Sequence, residues 1–166
     1  NHNKCTNYEK LNKNMQISLD NYDHVILNAL VRNGALTNAQ LSDQVNLSAS
    51  QCSRRRIRLE AEGLIEGYHA KLNAEVMGIS LRAIVRVNLQ SHSEENAEYF
   101  AKFLEQHEEI VEAFSVSGDA DYVLIVQFKN LTLFGDFIHS SLLPQKIIGQ
   151  VRSEIVLREI KRPFGY

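Results

Sequence analysis

Residues 41–60 read LSDQVNLSASQCSRRRIRLE. Leu41 and Val45 lie four apart, so the first part of the stretch predicts a short helix with one apolar stripe. Asn46 tolerates the positive φ of a tight turn, and Leu47 is placed to plug the angle between two helices. Ser48 or Ser50 then caps a second helix that runs to about Glu62 and stops at Gly63. This helix carries Arg54, Arg55, Arg56 and Arg58, and no acidic residue falls between Asp43 and Glu60. A short helix, a turn and a longer basic helix form the pattern of a helix-turn-helix DNA reader.

Within the basic helix Arg54 and Arg58 share a face, and Arg55 lies about 100° from Arg54. Arginine offers two parallel donors to guanine O6 and N7 and a charge to phosphate. Ser48, Ser50, Gln51 and Ser53 occupy the first turns, where side chains of this motif reach base edges. The DNA-binding candidates are therefore Ser48, Ser50, Gln51, Ser53, Arg54, Arg55 and Arg58. The competing reading is a solvated basic face paired with Glu60 and Glu62. Cys52 has no CxxC partner and no histidine at metal-ligand spacing, so it reads as a small apolar residue packed on the preceding helix.

Upstream, Asp20 suits the N-cap of a helix with Tyr22, Ile26, Ala29 and Leu30 on one face, ended by Asn33-Gly34. Thr37 caps the next helix. Downstream, residues 64–72 alternate apolar and polar side chains, including Tyr68 and Ala70, which predicts a short strand or wing. Residues 17–73 thus form a winged helix-turn-helix. Residues 1–16 read as a polar arm or leader; the Asn/Lys-rich first 14 fit a tag remnant, an alternative leader or a native arm, loosely docked or disordered.

The pattern changes near residue 74, and residues 74–80 read as a hinge. Residues 81–89 alternate as a strand, with Leu81, Ala83, Val85, Val87 and Leu89 on one face. Residues 96–106 predict a helix with a Tyr99, Phe100, Phe103 and Leu104 stripe. Residues 110–116 and 122–128 predict two strands. Thr132 caps a helix bearing Phe134, Phe137, Ile138 and Leu142, ended by Pro144, and residues 151–160 form the last strand. The order β-α-β-β-α-β is the split βαβ of a ferredoxin-like domain over residues 81–160, leaving 161–166 as a tail. The fold class is α+β.

The connection Val116-Ser117-Gly118-Asp119-Ala120-Asp121-Tyr122 has two readings. Glycine and aspartate are the usual choices for a tight turn. They also let a backbone approach a ligand and let carboxylates accept from an ammonium group. The histidines at 24, 69, 92, 107 and 139 are scattered without metal-ligand spacing; His92, just after the long strand, is a possible rim residue. No nucleophile elbow, P-loop, HExxH or paired-carboxylate arrangement occurs, so an enzyme has nothing to build on, and no metal or cofactor is expected.

With 18 Lys and Arg against 20 Asp and Glu, the 166-residue chain is near neutral, so any DNA contact must come from a local patch. No apolar run approaches the roughly 18 residues of a membrane helix. The two cysteines, Cys5 and Cys52, fit a reducing, cytoplasmic setting rather than a disulfide framework.

Residues 19–42, 46–68 and the VSGDADYVL of 116–124 together make the chain similar to the leucine-responsive/asparagine regulator (Lrp/AsnC) family of prokaryotic transcription factors. The resemblance spans about residues 19–160. It implies an N-terminal winged helix-turn-helix and a C-terminal βαββαβ effector domain, dimers that assemble into octamers or similar even rings, and an amino-acid effector bound between effector domains. The family's glycine-aspartate hairpin falls on Gly118, Asp119, Asp121 and Tyr122, which the resemblance implies are effector-binding. One departure is Arg56, where many relatives carry an aliphatic residue, with the apolar side chain displaced to Ile57. Either the helix rotates slightly or Arg56 buries only its stem.

The expected function is a sequence-specific transcriptional regulator of double-stranded DNA. Its basic helix enters the major groove, and two copies read half-sites one or more turns apart. A small effector biases its assembly states. The alternatives are a metabolic or small-molecule-binding subunit with a basic helix, and an architectural DNA-binding protein of low specificity.

Overall fold

The computed structural model describes residues 17–161, which form two compact units, one through Ala70 and one from Lys71 onward. The expected polar arm of residues 1–16 and most of the 161–166 tail lie outside the described residues.

The first unit is built from three helices, α1 (Asn21–Arg32), α2 (Asn38–Val45) and α3 (Ala49–Ala61). Each starts with a reciprocal capping box, Asp20 with Asp23, Thr37 with Gln40, and Ser48 with Gln51, which satisfies amides that a helix start leaves orphaned. Asn46 sits at φ 52 in the turn between α2 and α3. Gly63 takes φ +76 after α3, and the Leu64 amide folds back to the Leu59 carbonyl at 2.9 Å. Ile26, Leu30, Leu36, Leu41, Val45, Cys52 and Leu59 close into one core. Cys52 is an unpaired thiol at its centre, and burial pushes that thiol up from its ordinary range. Residues 64–72, expected as a strand or wing, form no strand ladder. No described strand lies beside them to exchange amide hydrogen bonds, and Tyr68 packs on Arg56 instead.

The second unit runs β1 (Leu81–Leu89), α4 (Glu94–Glu105), β2 (Ile110–Ser115), β3 (Tyr122–Phe128), α5 (Leu131–Asp136), a π-helical turn (Phe137–Leu142) and β4 (Ile148–Ile155). The sheet order is β2-β3-β1-β4, with every pair antiparallel. Helix α4 begins at Glu94 behind the Ser93 cap, two residues earlier than periodicity predicts. Asn130, not Thr132, caps α5 by accepting from the Leu133 amide. The last strand also shifts: β4 pairs from Ile148 opposite Leu89 to Ile155 opposite Ala83, because β1 supplies the ladder and β1 starts at Leu81. Beyond it Leu157 and Ile160 project into solvent.

One sheet face carries Ala83, Val85, Val87, Leu124, Val126 and Phe128 against Phe100, Phe103, Phe134, Phe137 and Leu142. The opposite face carries Ile84, Arg86, Val123 and Ile125, with half-exposed Phe114 paired to Val123. Arg86 meets Glu154 there at 3.1 Å.

Candidate DNA-reading helix and effector site

Helix α3 divides its side chains sharply by direction. Cys52 and Leu59 face the core. At about 100° per residue, Ser50, Arg54, Ile57 and Ala61 fall on one stripe on the other side, and all four are exposed. Arg54 makes no ion pair or hydrogen bond among the described residues. Ser53 is half-buried beside this stripe. Ser48 and Gln51 are engaged with each other: the Gln51 amide donates to Ser48 Oγ, and Gln51 Oε1 accepts from the Ser48 amide at 2.9 Å.

The other arginines turn toward groups of their own unit. Asp23 is fully buried on α1. Its Oδ1 accepts from Arg55 Nη1 at 2.8 Å, and its Oδ2 accepts from Arg58 Nη2. Arg55 Nη1 also lies 2.8 Å from Asp20 Oδ2. Burial alone would push the Asp23 carboxyl up. The Asp20 amide and the two guanidiniums outweigh it and hold the carboxyl below its usual range. The bond to Asp23 in turn holds the Arg55 guanidinium above its ordinary range. Asp23 thus fixes α3 against α1 with a charge that has lost its water and is compensated by two cations.

Arg56 stands at the position where the family resemblance implies an aliphatic residue. The helix does not rotate to bury Ile57, which is 60% exposed. Instead Arg56 tucks inward, its guanidinium over the Tyr68 ring at 4.4 Å and its Nη1 donating to the Leu36 carbonyl at 3.0 Å. Its Nε donates to Glu60 Oε1 and to Tyr68 Oη. Burial and the bond to Glu60 push the Tyr68 hydroxyl up. The competing reading of the arginines therefore describes part of the helix: Arg56 pairs with Glu60, and Arg58 lies 3.9 Å from Glu62.

In the second unit the loop between β2 and β3 is closed by Val116 N–H to the Asp121 carbonyl at 3.0 Å. Gly118 takes φ +134, a backbone conformation side-chain-bearing residues rarely adopt. Asp121 Oδ2 accepts from the Leu89 amide at 2.8 Å, tying the loop to β1. Asp121 Oδ1 lies 3.6 Å from His92 Nδ1. Both residues line a cavity of about 280 Å³ with Leu89, Ser93, Ser115 and Tyr122. Tyr122 is anchored from behind by Phe100, with ring centroids 4.8 Å apart. Of the four hairpin candidates, Asp121 and Tyr122 line this cavity, whereas Gly118 and Asp119 do not. Asp119 contributes its carbonyl to Asn88 Nδ2 and leaves its side chain exposed.

Sequence reasoning missed Asp23, Ile57 and the Arg56–Tyr68 pairing. Asp23 carried one signal, its place three residues after a capping aspartate, but its arginine partners are 32 and 35 residues away.

The Lrp/AsnC ligand-binding domain matches residues 82–165, and a winged helix-turn-helix DNA-binding domain matches residues 19–66. A leucine-responsive regulatory protein of Rhizobium meliloti (strain 1021) is 35% identical over 147 residues, which are 89% of this chain and 94% of that protein. The crystal structure of a Neisseria meningitidis transcriptional regulator in complex with L-Met is similar at TM-score 0.86 and 34% identity, over 90% of this chain and 96% of that one. An AsnC family transcriptional regulator from Agrobacterium tumefaciens is similar at TM-score 0.81 and 28% identity, over 87% and 94%. These proteins are transcriptional regulators rather than enzymes, and the helix-turn-helix with its Asp23-braced basic helix, followed by a ligand-binding βαββαβ domain, makes this chain a member of the Lrp/AsnC family of DNA-binding transcriptional regulators.

Proposed function

We propose that the chain is a cytoplasmic regulator whose operator affinity is set by a free amino acid bound in the second unit beside Asp121. The observation that carries this reading is the division of labour on one carboxylate. Oδ2 of Asp121 holds the loop to β1, while Oδ1 lies beside His92 Nδ1, and Asp121, His92 and Tyr122 all line the small cavity. A carboxylate fixed in this way is a preorganised acceptor for an α-ammonium group. Gly118 and Asp119, outside the cavity wall, shape the loop. The L-Met complex of the similar Neisseria regulator supports the amino-acid class.

At the DNA, Ser50 and Arg54 reach base edges from the exposed stripe. Ser48, Gln51 and Ser53 lie in the first turns, where the backbone comes close to the groove wall. Arg55 and Arg58 serve phosphate with donors beyond those given to Asp23, since a guanidinium has five N–H groups. The sheet face opposite the core, with Ile84, Val123, Ile125 and Phe114, fits self-association into a dimer and then a higher even oligomer such as an octamer.

The test begins with thermal unfolding of the full chain in each common amino acid, L-methionine and L-leucine first. A ligand at 100 times its Kd adds about 2.7 kcal/mol. The best ligand is then titrated against protein bound to an operator selected from random DNA. Asp121→Ala is expected to lose about 1.5–3 kcal/mol of ligand affinity, with ligand-free operator affinity kept within a few-fold. An unchanged ligand response rejects the site, and the absence of any stabilising amino acid rejects the effector class.

A further inference from the structure

The exposed stripe of α3 contains one residue that neither the core nor helix propensity accounts for. Ile57 is 60% exposed, while the arginine before it is drawn inward to Tyr68, Glu60 and Leu36. A β-branched side chain loses rotamer freedom in a helix, so an exposed isoleucine gains nothing from helix formation. It lies three residues, or about 4.5 Å along the axis, from Arg54 on the same stripe. That rise is close to the roughly 3.4 Å step of a DNA strand, so two such side chains in a major groove address neighbouring base pairs. No acidic residue lies on the stripe from Ser50 to Ala61 to repel phosphate.

The major groove offers one apolar group, the C5-methyl of thymine. We infer that Ile57 is a specificity-determining residue that packs on a thymine methyl next to the base pair read by Arg54. The inference rests on α3 being the DNA-reading helix and adds a base identity to it. Arg54 discriminates by hydrogen bonding and Ile57 by the presence or absence of a methyl group, so the pair reads a two-base step by two different chemistries.

The experiment uses the full chain and its operator selected from random DNA. Thymines are replaced one position at a time, in both half-sites, by deoxyuridine, which removes the methyl and leaves base pairing intact. The parent is expected to lose about four-fold in affinity per half-site at one thymine position, the factor for one buried methyl. Ile57→Ala is expected to bind the unmodified operator more weakly and to be indifferent to deoxyuridine at that position, with Ile57→Val intermediate. The side chain is exposed and alanine is the better helix former, so circular dichroism should not change and the melting temperature should not fall.

If Ile57→Ala keeps the parent's full sensitivity at that thymine, another residue reads the methyl and the inference is overturned. It is also overturned if the parent is indifferent to deoxyuridine everywhere while Arg54→Ala still loses affinity, and in that outcome α3 remains the reader. If Arg54→Ala and Ile57→Ala both bind as the parent does, the inference and the assignment of α3 fall together.

Discussion

In α3 four arginines fill five consecutive positions, and three of them bind groups of their own unit; in the β2–β3 loop two aspartates fill three positions, and one of them binds its own sheet. Arg55 and Arg58 go to Asp23, and Arg56 goes to Glu60, Tyr68 and Leu36. Asp121 goes to the Leu89 amide, while the Asp119 carboxylate stays exposed. The difference lies in what the internal partner leaves over. Asp23 consumes charge, since its two fully buried oxygens accept one bond from each of two guanidiniums as well as one from the Asp20 amide. The Leu89 amide takes one oxygen of Asp121, and the other lies 3.6 Å from His92 Nδ1 on a residue that lines a cavity. A run of charge in sequence is therefore a poor count of the charge available to a ligand. Availability is settled by partners elsewhere in the chain, chiefly Asp23 for the arginines and Leu89 for Asp121.

The contrast is broken most forcefully at Asp23. Asp23→Ala leaves two guanidiniums without their shared carboxylate and removes the N3 half of the α1 capping box. Breaking such a pair costs about 3–5 kcal/mol; the low end is expected, because Arg55 and Arg58 can reach water. The parent's gain also has a definite pH dependence. The folded carboxyl titrates below its usual value of 3.8, so the unfolded chain binds the proton first. The stabilisation is complete above that usual value and disappears as pH falls through the folded one. Urea unfolding at neutral and acidic pH should show a large gap between parent and Asp23→Ala that narrows on acidification. A constant gap would mean that the charge of Asp23 contributes nothing.

A finer comparison sets Arg54 against Arg55, neighbours with opposite allegiances. Arg54→Ala is expected to lose about 1–3 kcal/mol of operator affinity and to relax selectivity at one base position, with no change in melting temperature. Arg55→Ala is expected to lower the melting temperature, since Asp23 then keeps one cation instead of two. Fluorescence anisotropy and thermal unfolding on the same two variants separate the effects. If both lose stability equally, the stripe assignment of Arg54 is wrong.

The starts at Asp20 and Thr37 were legible, and the third was narrowed to Ser48 or Ser50, because capping is local: Asp20, Thr37 and Ser48 each meet their partner three residues on. Asn46 and Gly63 likewise announce their turns by residue type. The β2–β3 hairpin and the βαββαβ order followed from alternation and spacing. What could not be read depended on distant partners. The end of β4 is set by the length of β1, not by the apolar run that continues to Ile160. Asn130 and Thr132 are both capping types two residues apart, and only the chain's arrival from β3 chooses between them. Residues 64–72 alternate like a strand but have no neighbouring strand among the described residues to complete a ladder. At the candidate sites the residue types were visible, while their direction was not. Nothing in RRRIR says that the isoleucine faces out and the arginine before it faces in.

The smallest expected effect lies at Gly118 and sharpens the loop's side of the comparison. A Cβ built there meets nothing within 4 Å, so Gly118→Ala introduces no clash. What it introduces is backbone strain, because φ +134 is a conformation that alanine rarely adopts. Strain of this kind costs about 1 kcal/mol or somewhat more. Two anchors oppose relaxation of the loop: the Asp121 amide donates to the Val87 carbonyl at 3.1 Å, and Asn88 Nδ2 donates to the Asp119 carbonyl at 2.9 Å. With both ends held, the strain should appear as a modest loss in the urea unfolding of the second unit, with ligand affinity and operator affinity nearly unchanged. If ligand affinity instead falls as far as in Asp121→Ala, the backbone around Gly118 touches the effector directly, and the division between a residue that shapes the loop and one that meets the ligand does not hold.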